Sequence, residues 1–92
     1  MMKKSRVFAD FHNADAKGRL RLNCNGTLED LASQKITLCD SQHVVLYSEE
    51  LEVDGIVQYS DEEEIWVAII DWNAIREVHT DGSKNFIATK LL

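Results

Sequence analysis

Hydrophobic and polar residues alternate along most of the chain, which is the pattern of β-strands that bury one face. The alternation predicts strands over residues 7–11, 19–24, 36–39, 44–47 and 51–59, and a continuous apolar run predicts another over 64–70. Turn-forming residues occupy 13–18, after the first strand, and 40–43, after the third. We therefore expect the first two strands to form one hairpin and the third and fourth strands to form another.

A different spacing interrupts the alternation between the second and third strands. Apolar residues recur at i, i+3 and i+4 from Leu28 onward, and they predict a helix over 28–34. Thr27, with Asp30 three positions later, is close to a capping box, which marks the start of a helix. Two helical turns do not persist alone in water, so we expect this helix to pack as a lid over an apolar opening.

The second half of the chain contains the most apolar segment. Residues 64–70 are apolar on both faces, which predicts a central strand covered by the core on one side and by the helix or a partner chain on the other. Gly55 interrupts an alternating run and predicts a bulge or sharp bend. Residues 72–75 predict a single helical turn. The Asp-Gly pair at 81–82 leaves residues 80–92 as a final hairpin or a flexible tail.

Together these elements predict a mainly β fold in one domain over residues 1–92, with an ordered core at about 6–79. Six or seven short strands separated by turns suit a small SH3-like β-barrel of five to seven antiparallel strands with one short helix. This likeness concerns the architecture only, and it implies no function.

Four short motifs give the chain a second resemblance. They are VFADF at 7–11, GRLRL at 18–22, GTLEDL at 26–31 and WVAIIDW at 66–72. Through them the chain resembles a family of small uncharacterised bacterial proteins, over about residues 6–76. The resemblance implies a small bacterial protein and transfers no activity to it.

Length and composition narrow the class of protein. A chain of 92 residues buries one core and has no room for a second domain. No apolar run is long enough to span a bilayer, and Asp10 and His12 interrupt the place where a secretion signal would continue after the basic start. We therefore expect a cytoplasmic protein that does not enter the membrane, with Cys24 and Cys39 as free thiols.

Charge is distributed unevenly along the chain. The formal net charge is −6, and most of the sixteen acidic residues follow residue 46. An acidic balance argues against a nucleic-acid binder, because such a protein needs a contiguous basic patch. Before the last strand, an acidic hairpin corner contains Glu62, Glu63 and Glu64, with large aromatic residues close by in sequence. These aromatic residues are Tyr47, Tyr59 and Trp66.

Large aromatic side chains are common anchors of protein interfaces. We therefore predict a non-catalytic protein-interaction or regulatory module that uses the acidic corner and these aromatics to bind a protein partner, and the acidic charge favours a basic one. Arg19 and Arg21, on the outer face of the first predicted hairpin, either pair with the corner in the same chain or pair with the corner of a second copy. The second arrangement makes a homodimer one of the predicted partners.

The basic residues also support an alternative function. Small barrels bind single-stranded nucleic acid with a basic groove and stacking aromatics. The N-terminal hairpin supplies such a set, so a small nucleic-acid-associated barrel is the first alternative. The bases concerned are Lys3, Lys4, Arg6, Arg19 and Arg21.

Three acidic and imidazole side chains support a second alternative. Asp10, His12 and Asp15 are the residue types that hold a divalent metal ion. If they converge, the protein is a small metal-dependent enzyme. Paired polar residues of this kind are also common on the solvent face of a strand, so we predict no metal and no cofactor.

The turn at 40–43 contains residue types used in catalysis. Asp40, Ser41 and His43 are those of a hydrolytic triad, and Cys39 with His43 is a conceivable activated thiol. A triad normally draws its members from distant segments, because the base must lie between the nucleophile and the acid. We therefore predict no catalytic residue and no enzymatic activity.

Overall fold

The computed structural model describes residues 4–78 as one six-stranded sheet with one α-helix and one short 3-10 helix. The elements in chain order are β1 (Ser5–Phe8), β2 (Leu20–Arg21), α1 (Asn25–Gln34), β3 (His43–Ser48), β4 (Leu51–Ser60), β5 (Ile65–Ile70), the 3-10 helix (Trp72–Ala74) and β6 (Arg76–Glu77). The predicted mainly β class with a single α-helix is confirmed.

The strands follow one another across the sheet in the order β1-β3-β4-β5-β2, and β6 pairs with the start of β4. β1 and β2 lie at opposite edges, so the sheet is not closed into a barrel and the predicted SH3-like barrel is not confirmed. β1 runs parallel to β3, whereas the other pairs are antiparallel. The chain passes through β2 and α1 between β1 and β3, which is the long connection that a parallel pair requires.

Both predicted hairpins are wrong. β1 pairs with β3 and β2 pairs with β5, so the first two strands do not meet. Residues 36–39 form no strand, and β3 instead forms a hairpin with β4. The alternation correctly identified inward-facing residues such as Val7, Leu20 and Leu38, which are all buried. Alternation reports which face of a strand is buried and says nothing about which strand lies beside it.

β4 is the longest strand and forms the middle of the sheet. Its register with β3 and with β5 is continuous through Gly55, so the predicted bulge is absent. The glycine has a packing role, because a Cβ atom there would lie 2.9 Å from Leu46 Cδ1 and 3.2 Å from Ile70 Cγ2. A side chain at this position would collide with the core beneath the sheet.

The core lies on one face of the sheet, which we call the inner face. Its buried members are Val7, Ala9, Leu20, Leu22, Leu38, Val44, Leu46, Val53, Val57 and Ala68. Partly buried apolar residues of the connecting segments, among them Phe11, Ile36 and Ile75, pack against it. These connections take the place of a second layer, and their apolar burial drives the sheet to fold.

The opposite face of the sheet, the outer face, is mostly in contact with solvent. β5 lies between β4 and β2, as expected for a central strand. Val67 and Ala68 are buried, but Ile69 is 42% exposed and lies opposite Ile56, which is also exposed. Within this chain the helix therefore does not cover the outer side of the C-terminal half of β5, and its cover by a partner chain stays a prediction.

α1 begins at Asn25, three residues before the predicted start. Its N-cap residue is Cys24, without a side-chain cap, and Thr27 lies inside the first turn, so the predicted capping box is not formed. The helix ends at Gln34, and the C-cap residue Lys35 has a left-handed φ of 59°. Its position also differs from the prediction, since α1 packs beside the edge strand β1 rather than over an apolar opening.

The last described segment follows the prediction closely. The single helical turn predicted at 72–75 is the 3-10 helix, and the Asp71 carboxylate accepts a hydrogen bond from the Asn73 N–H at its start. The predicted hairpin or tail at 80–92 and the base Lys3 lie outside the described residues. Within residues 4–78, neither helix has the length and apolar character needed to cross a membrane.

Candidate interaction site

The acidic corner, residues 61–64, is the turn that joins β4 to β5. Ser60 pairs with Ile65 across its base, and the buried Ser60 accepts hydrogen bonds from two corner residues. Its carbonyl accepts from the Glu64 N–H at 2.7 Å, and its hydroxyl accepts from the Glu63 N–H at 3.3 Å. Glu64 has a φ of 58°. These hydrogen bonds to Ser60 fix the backbone of the corner. All four acidic residues of the corner are exposed.

Two of the three predicted aromatic residues lie beside the acidic corner. Tyr59 and Trp66 are cross-strand neighbours in β4 and β5, with ring centroids 5.1 Å apart and ring planes at 76°. This edge-to-face arrangement is favourable for aromatic pairs. The Tyr59 N–H donates to Asp40 at 2.9 Å, and 38% of Tyr59 remains exposed. Tyr59 is therefore an aromatic side chain that is held in place and still accessible.

The third aromatic, Tyr47, is not beside the acidic corner. Its ring packs edge-on against Phe8 and lies under the Arg6 guanidinium, while its hydroxyl donates to Asp30 at 2.9 Å. Burial raises the pKa of the Tyr47 phenol, and the hydrogen bond to the Asp30 carboxylate raises it further. Tyr47 joins β3 to β1 and α1, at the other side of the sheet from the corner.

Arg21 makes a bidentate ion pair with Glu63, in the acidic corner of its own chain. Its Nε donates to Glu63 Oε1 at 2.7 Å and its Nη2 donates to Oε2 at 2.9 Å. Its Nη1 donates to Asn13 Oδ1 and to the Ala14 carbonyl. The guanidinium lowers the pKa of Glu63, and the carboxylate raises that of Arg21. Of the two pairings open for Arg21, the structure contains the one within a single chain.

Arg19 is engaged with Asp15, which is buried. The Arg19 Nε donates to Asp15 Oδ2 at 2.8 Å, and its Nη1 donates to Gln58 Oε1 at 2.7 Å. The backbone N–H groups of Lys17 and Arg19 both donate to Asp15 Oδ1. Burial alone would raise the pKa of Asp15, but these hydrogen bonds and the Arg19 charge outweigh it and hold the pKa below its ordinary value. Asp15 is thus a structural ion-pair partner.

A groove of about 270 Å³ brings charged residues and the exposed aromatic ring of Tyr59 into one lining. Its lining includes Tyr59, Asp61, Glu62, Lys17 and Arg19. Lys17 Nζ lies 3.8 Å from Glu62 Oε1, and both side chains are largely exposed. Within residues 4–78 the Asp61 and Glu64 carboxylates make no ion pair. The corner therefore retains uncompensated negative charge beside Tyr59.

The candidate metal ligands Asp10, His12 and Asp15 do not converge. The His12 N–H donates to Asp10 Oδ1 at 2.9 Å, and His12 Nδ1 lies 3.5 Å from the same oxygen, but the His12 side chain is 99% exposed. Asp15 is bound to Arg19 instead. In the described part of the chain, no three His, Cys, Asp or Glu side chains are close enough together to hold a metal ion.

The residues of the turn at 40–43 also do not form a catalytic set. Asp40 accepts from the Tyr59 N–H, while the exposed His43 lies on β3 opposite Ile56. Asp40, Ser41 and His43 make no hydrogen bond with one another in residues 4–78, and Cys39 makes none with His43. Cys39 is exposed, Cys24 is partly buried, and both are free thiols.

Sequence reasoning missed two features of the surface. One is the exposed pair Ile56 and Ile69 on the outer face, beside a groove of about 430 Å³ that His43 also lines. Because Gly55 was interpreted as a bulge, the alternating pattern was interrupted at that residue. The exposure of this pair was therefore not predicted. The other is the contact between α1 and the edge of β1, for which a single sequence contains no pattern.

Comparison of the chain with family models, with curated proteins and with solved structures gives no match. The site is therefore interpreted from its own geometry. What that geometry provides is a rigid acidic turn, an accessible tyrosine and a set of arginines that are already engaged within the chain.

Proposed function

We propose that the protein is a non-catalytic interaction module that binds a basic protein segment at the acidic corner. One observation carries this proposal. Tyr59 is held against Trp66 and stays partly exposed, and it lines one groove together with Asp61, whose carboxylate has no ion-pair partner within residues 4–78. An aromatic anchor with unpaired charge around it is the arrangement that a basic segment with an apolar side chain would complement.

The two parts of the surface have different roles in this proposal. Exposed charge pairs each contribute about 0–1 kcal/mol, so the carboxylates mainly select a basic partner and speed its approach. Tyr59 supplies the apolar contact that gives affinity. Arg21 and Arg19 do not contact the partner. Arg21 holds the acidic corner in place through Glu63, and Arg19 holds the loop at residues 13–18 in place through Asp15.

The engagement of the arginines is also why binding to a protein is favoured over binding to nucleic acid. Arg19 and Arg21 donate to carboxylates of the same chain, so a phosphate group would have to displace Asp15 or Glu63 to reach them. Lys4 and Arg6 also lie within ion-pair distance of carboxylates, those of Asp54 and Glu52. No contiguous unpaired basic patch is left on residues 4–78 to follow a phosphate backbone.

A charge reversal that spares the Arg21 ion pair tests the proposal. The variant Asp61→Lys with Glu62→Lys changes the corner, and Glu49→Lys with Glu50→Lys makes the same change of charge at the β3–β4 turn, where both residues are exposed. The probe is a set of Lys/Arg-rich peptides that each contain one aromatic residue, titrated into isotope-labelled protein and followed by NMR.

We expect the wild type and the Glu49/Glu50 variant to show shifts centred on residues 58–66. The Asp61/Glu62 variant should bind at least about tenfold more weakly, a loss of about 1.4 kcal/mol. Tyr59→Ala should weaken binding without changing its salt dependence, because it removes the apolar anchor alone. Equal affinity in the two charge-reversed variants, or shifts centred outside the corner, would show the proposal to be wrong.

A further inference from the structure

The edge strand β1 directs a regular set of backbone groups away from the sheet. In a parallel pair, one strand uses the N–H and C=O groups of alternate residues to bind its neighbour. The Ala9 N–H donates to the Tyr47 carbonyl, so the odd-numbered residues face β3. The N–H and C=O groups of Arg6 and Phe8 therefore point outward, where a further strand would normally bind.

Side chains of α1 bind three of these four outward groups. The Phe8 N–H donates to Asp30 Oδ2 at 2.8 Å, and the Phe8 carbonyl accepts from the Thr27 hydroxyl at 2.6 Å. The Arg6 carbonyl accepts from Gln34 Nε2 at 2.7 Å. One helix face thus reproduces with side chains the hydrogen bonds that a neighbouring strand makes with its backbone.

Besides these bonds, the Tyr47 hydroxyl donates to Asp30, and only a few apolar contacts hold α1 in this position. Thr27 is its only buried residue, and Leu28 is 51% exposed. Gly26 lies against the Phe8 ring, with Leu31 partly buried against the core. Elements with few buried apolar contacts open locally at a lower free energy than the core requires. α1 can therefore leave while the strands β3, β4 and β5 stay folded.

We propose that α1 is a detachable cover and that the β1 edge beneath it pairs with β1 of a second copy of this chain. The pairing is antiparallel and its two-fold axis passes through Val7. Phe8 then lies opposite Arg6 of the other copy, and each residue of this pair directs both of its backbone groups to the other. The four outward groups of each β1 are satisfied by the same four groups of the other copy, so the edge is complementary to itself.

The side chains of this register also match. Arg6 and Phe8 lie on the same face of the strand, so each guanidinium lies beside the Phe8 ring of the other copy, a favourable cation–π arrangement. Arg6 already makes such a contact with Tyr47, at 4.4 Å from the ring centroid. The same register places Lys4 opposite Asp10 of the second copy, which are opposite charges. This complementarity identifies a second copy, rather than an arbitrary peptide, as the occupant.

The proposal does not depend on the proposed function. The acidic corner joins β4 to β5, and β2 rather than β1 flanks β5 at that side of the sheet. A pair of molecules joined through β1 therefore leaves both corners accessible. The joined molecule has one continuous sheet with a corner toward each end.

Two variants of α1 test the cover. Asp30→Ala with Gln34→Ala removes the side chains that bind the Phe8 N–H and the Arg6 carbonyl. Glu29→Ala with Ser33→Ala is the matched control, because neither residue bonds to β1. In sedimentation equilibrium we expect the dissociation constant of the dimer to fall at least about tenfold in the first variant, which is about 1.4 kcal/mol, and to stay at the wild-type value in the control.

Two further substitutions, made in the Asp30/Gln34 background, test the site of pairing. Arg6→Pro removes the outward Arg6 N–H while leaving the bonds of β1 to β3, since proline is tolerated at an edge position whose N–H faces away from the sheet. Arg6→Ala removes the side chain and keeps the N–H. We expect Arg6→Pro to abolish dimerisation and Arg6→Ala only to weaken it.

Two results would overturn the proposal. One is a folded Asp30/Gln34 variant whose association matches the wild type, and the other is a dimer that Arg6→Pro leaves intact. If the double variant does not fold, hydrogen exchange in the wild type decides. Exchange of the α1 and Phe8 amides ahead of the β4 amides supports a detachable cover, and equal protection of the two sets excludes it.

Discussion

The two edges of the sheet are closed by different means. At the β2 edge, the loop that directly precedes β2, residues 13–18, folds back against that strand. Two ion pairs hold this edge in place, Arg19 with Asp15 and Arg21 with Glu63. At the β1 edge, a helix from later in the chain supplies single side chains that bind backbone groups directly. One edge depends on pairs of charges, and the other depends on how closely a helix approaches a strand.

This difference implies different sensitivities. The β2 edge contains a buried carboxylate whose charge must be compensated, so removal of one partner leaves the other unpaired in the interior. The β1 edge contains a glycine, Gly26, in contact with the Phe8 ring, so added volume there pushes the helix away from the strand. The first edge should therefore respond to charge and pH, and the second should respond to shape.

The largest effect is expected from Asp15→Ala. This change removes a buried carboxylate that accepts two backbone N–H groups and the Arg19 guanidinium. We expect the free energy of unfolding to fall by about 3–5 kcal/mol, the usual result of removing one member of a buried pair. Denaturant unfolding measures it, with Asp10→Ala as the exposed control. A loss no larger than that of the control would mean that Asp15 does not hold the β2 edge.

The next effect is expected from Gly26→Ala. A Cβ atom at this position would lie 2.7 Å from Phe8 Cδ2, so the ring or the helix must move. Overpacking costs about 1–3 kcal/mol, and the better helix propensity of alanine returns about 1 kcal/mol. We expect a net loss of up to about 2 kcal/mol, measured by denaturant unfolding. Phe8→Leu added to Gly26→Ala should recover part of it, and a gain in stability from Gly26→Ala alone would contradict the packing argument.

Acid should weaken the β2 edge selectively. Asp15 and Glu63 both have a pKa lowered by their arginine partners, so each stabilises the folded state at neutral pH and loses that contribution as the pH falls through its folded pKa. We expect the free energy of unfolding to decrease from about pH 4 downward. Glu63→Gln should show a smaller decrease between pH 7 and pH 3 than the wild type. Identical decreases in the two proteins would exclude a role for Glu63 in this response.

The smallest effect is expected from Glu63→Gln at neutral pH. Both partners of the Arg21 ion pair are about one-third exposed, with side-chain exposures of 30% and 34%, so solvent and salt screen their attraction. We expect a loss of stability well below that of Asp15→Ala, and smaller in 1 M salt than at low salt. Glu62→Gln is the matched control. A loss that does not change with salt would point to packing rather than charge.

The sequence predicted the local features of the molecule better than its connections. Alternation located β3 and β4 because one face of each is buried, a continuous apolar run located β5, and the apolar spacing from Leu28 located α1. Alternation could not show that β1 lies beside β3, because the partner of a strand depends on the path of the whole chain. The predicted hairpins failed for this reason.

The candidate site was predicted only in part, because residues that are close in sequence are not always close in the fold. Tyr59 and Trp66 lie on strands joined by the acidic corner, so their closeness to it followed from a short turn. Tyr47 is also near the corner in sequence, but β3 directs it toward β1 and α1. For Arg21 the sequence supplied the pairing with the corner without deciding which chain provides the carboxylate.

The order in which the strands are joined has a consequence for how the chain folds. β3, β4 and β5 follow one another through short turns, so their contacts are local, whereas β1 and β2 each pair with a strand far along the chain. Local contacts form before distant ones because closing a long loop costs more entropy. We expect the three-stranded meander to form the folding nucleus, with both edges added afterwards. Substitutions at either edge should then shorten the lifetime of the native state while leaving its rate of formation almost unchanged.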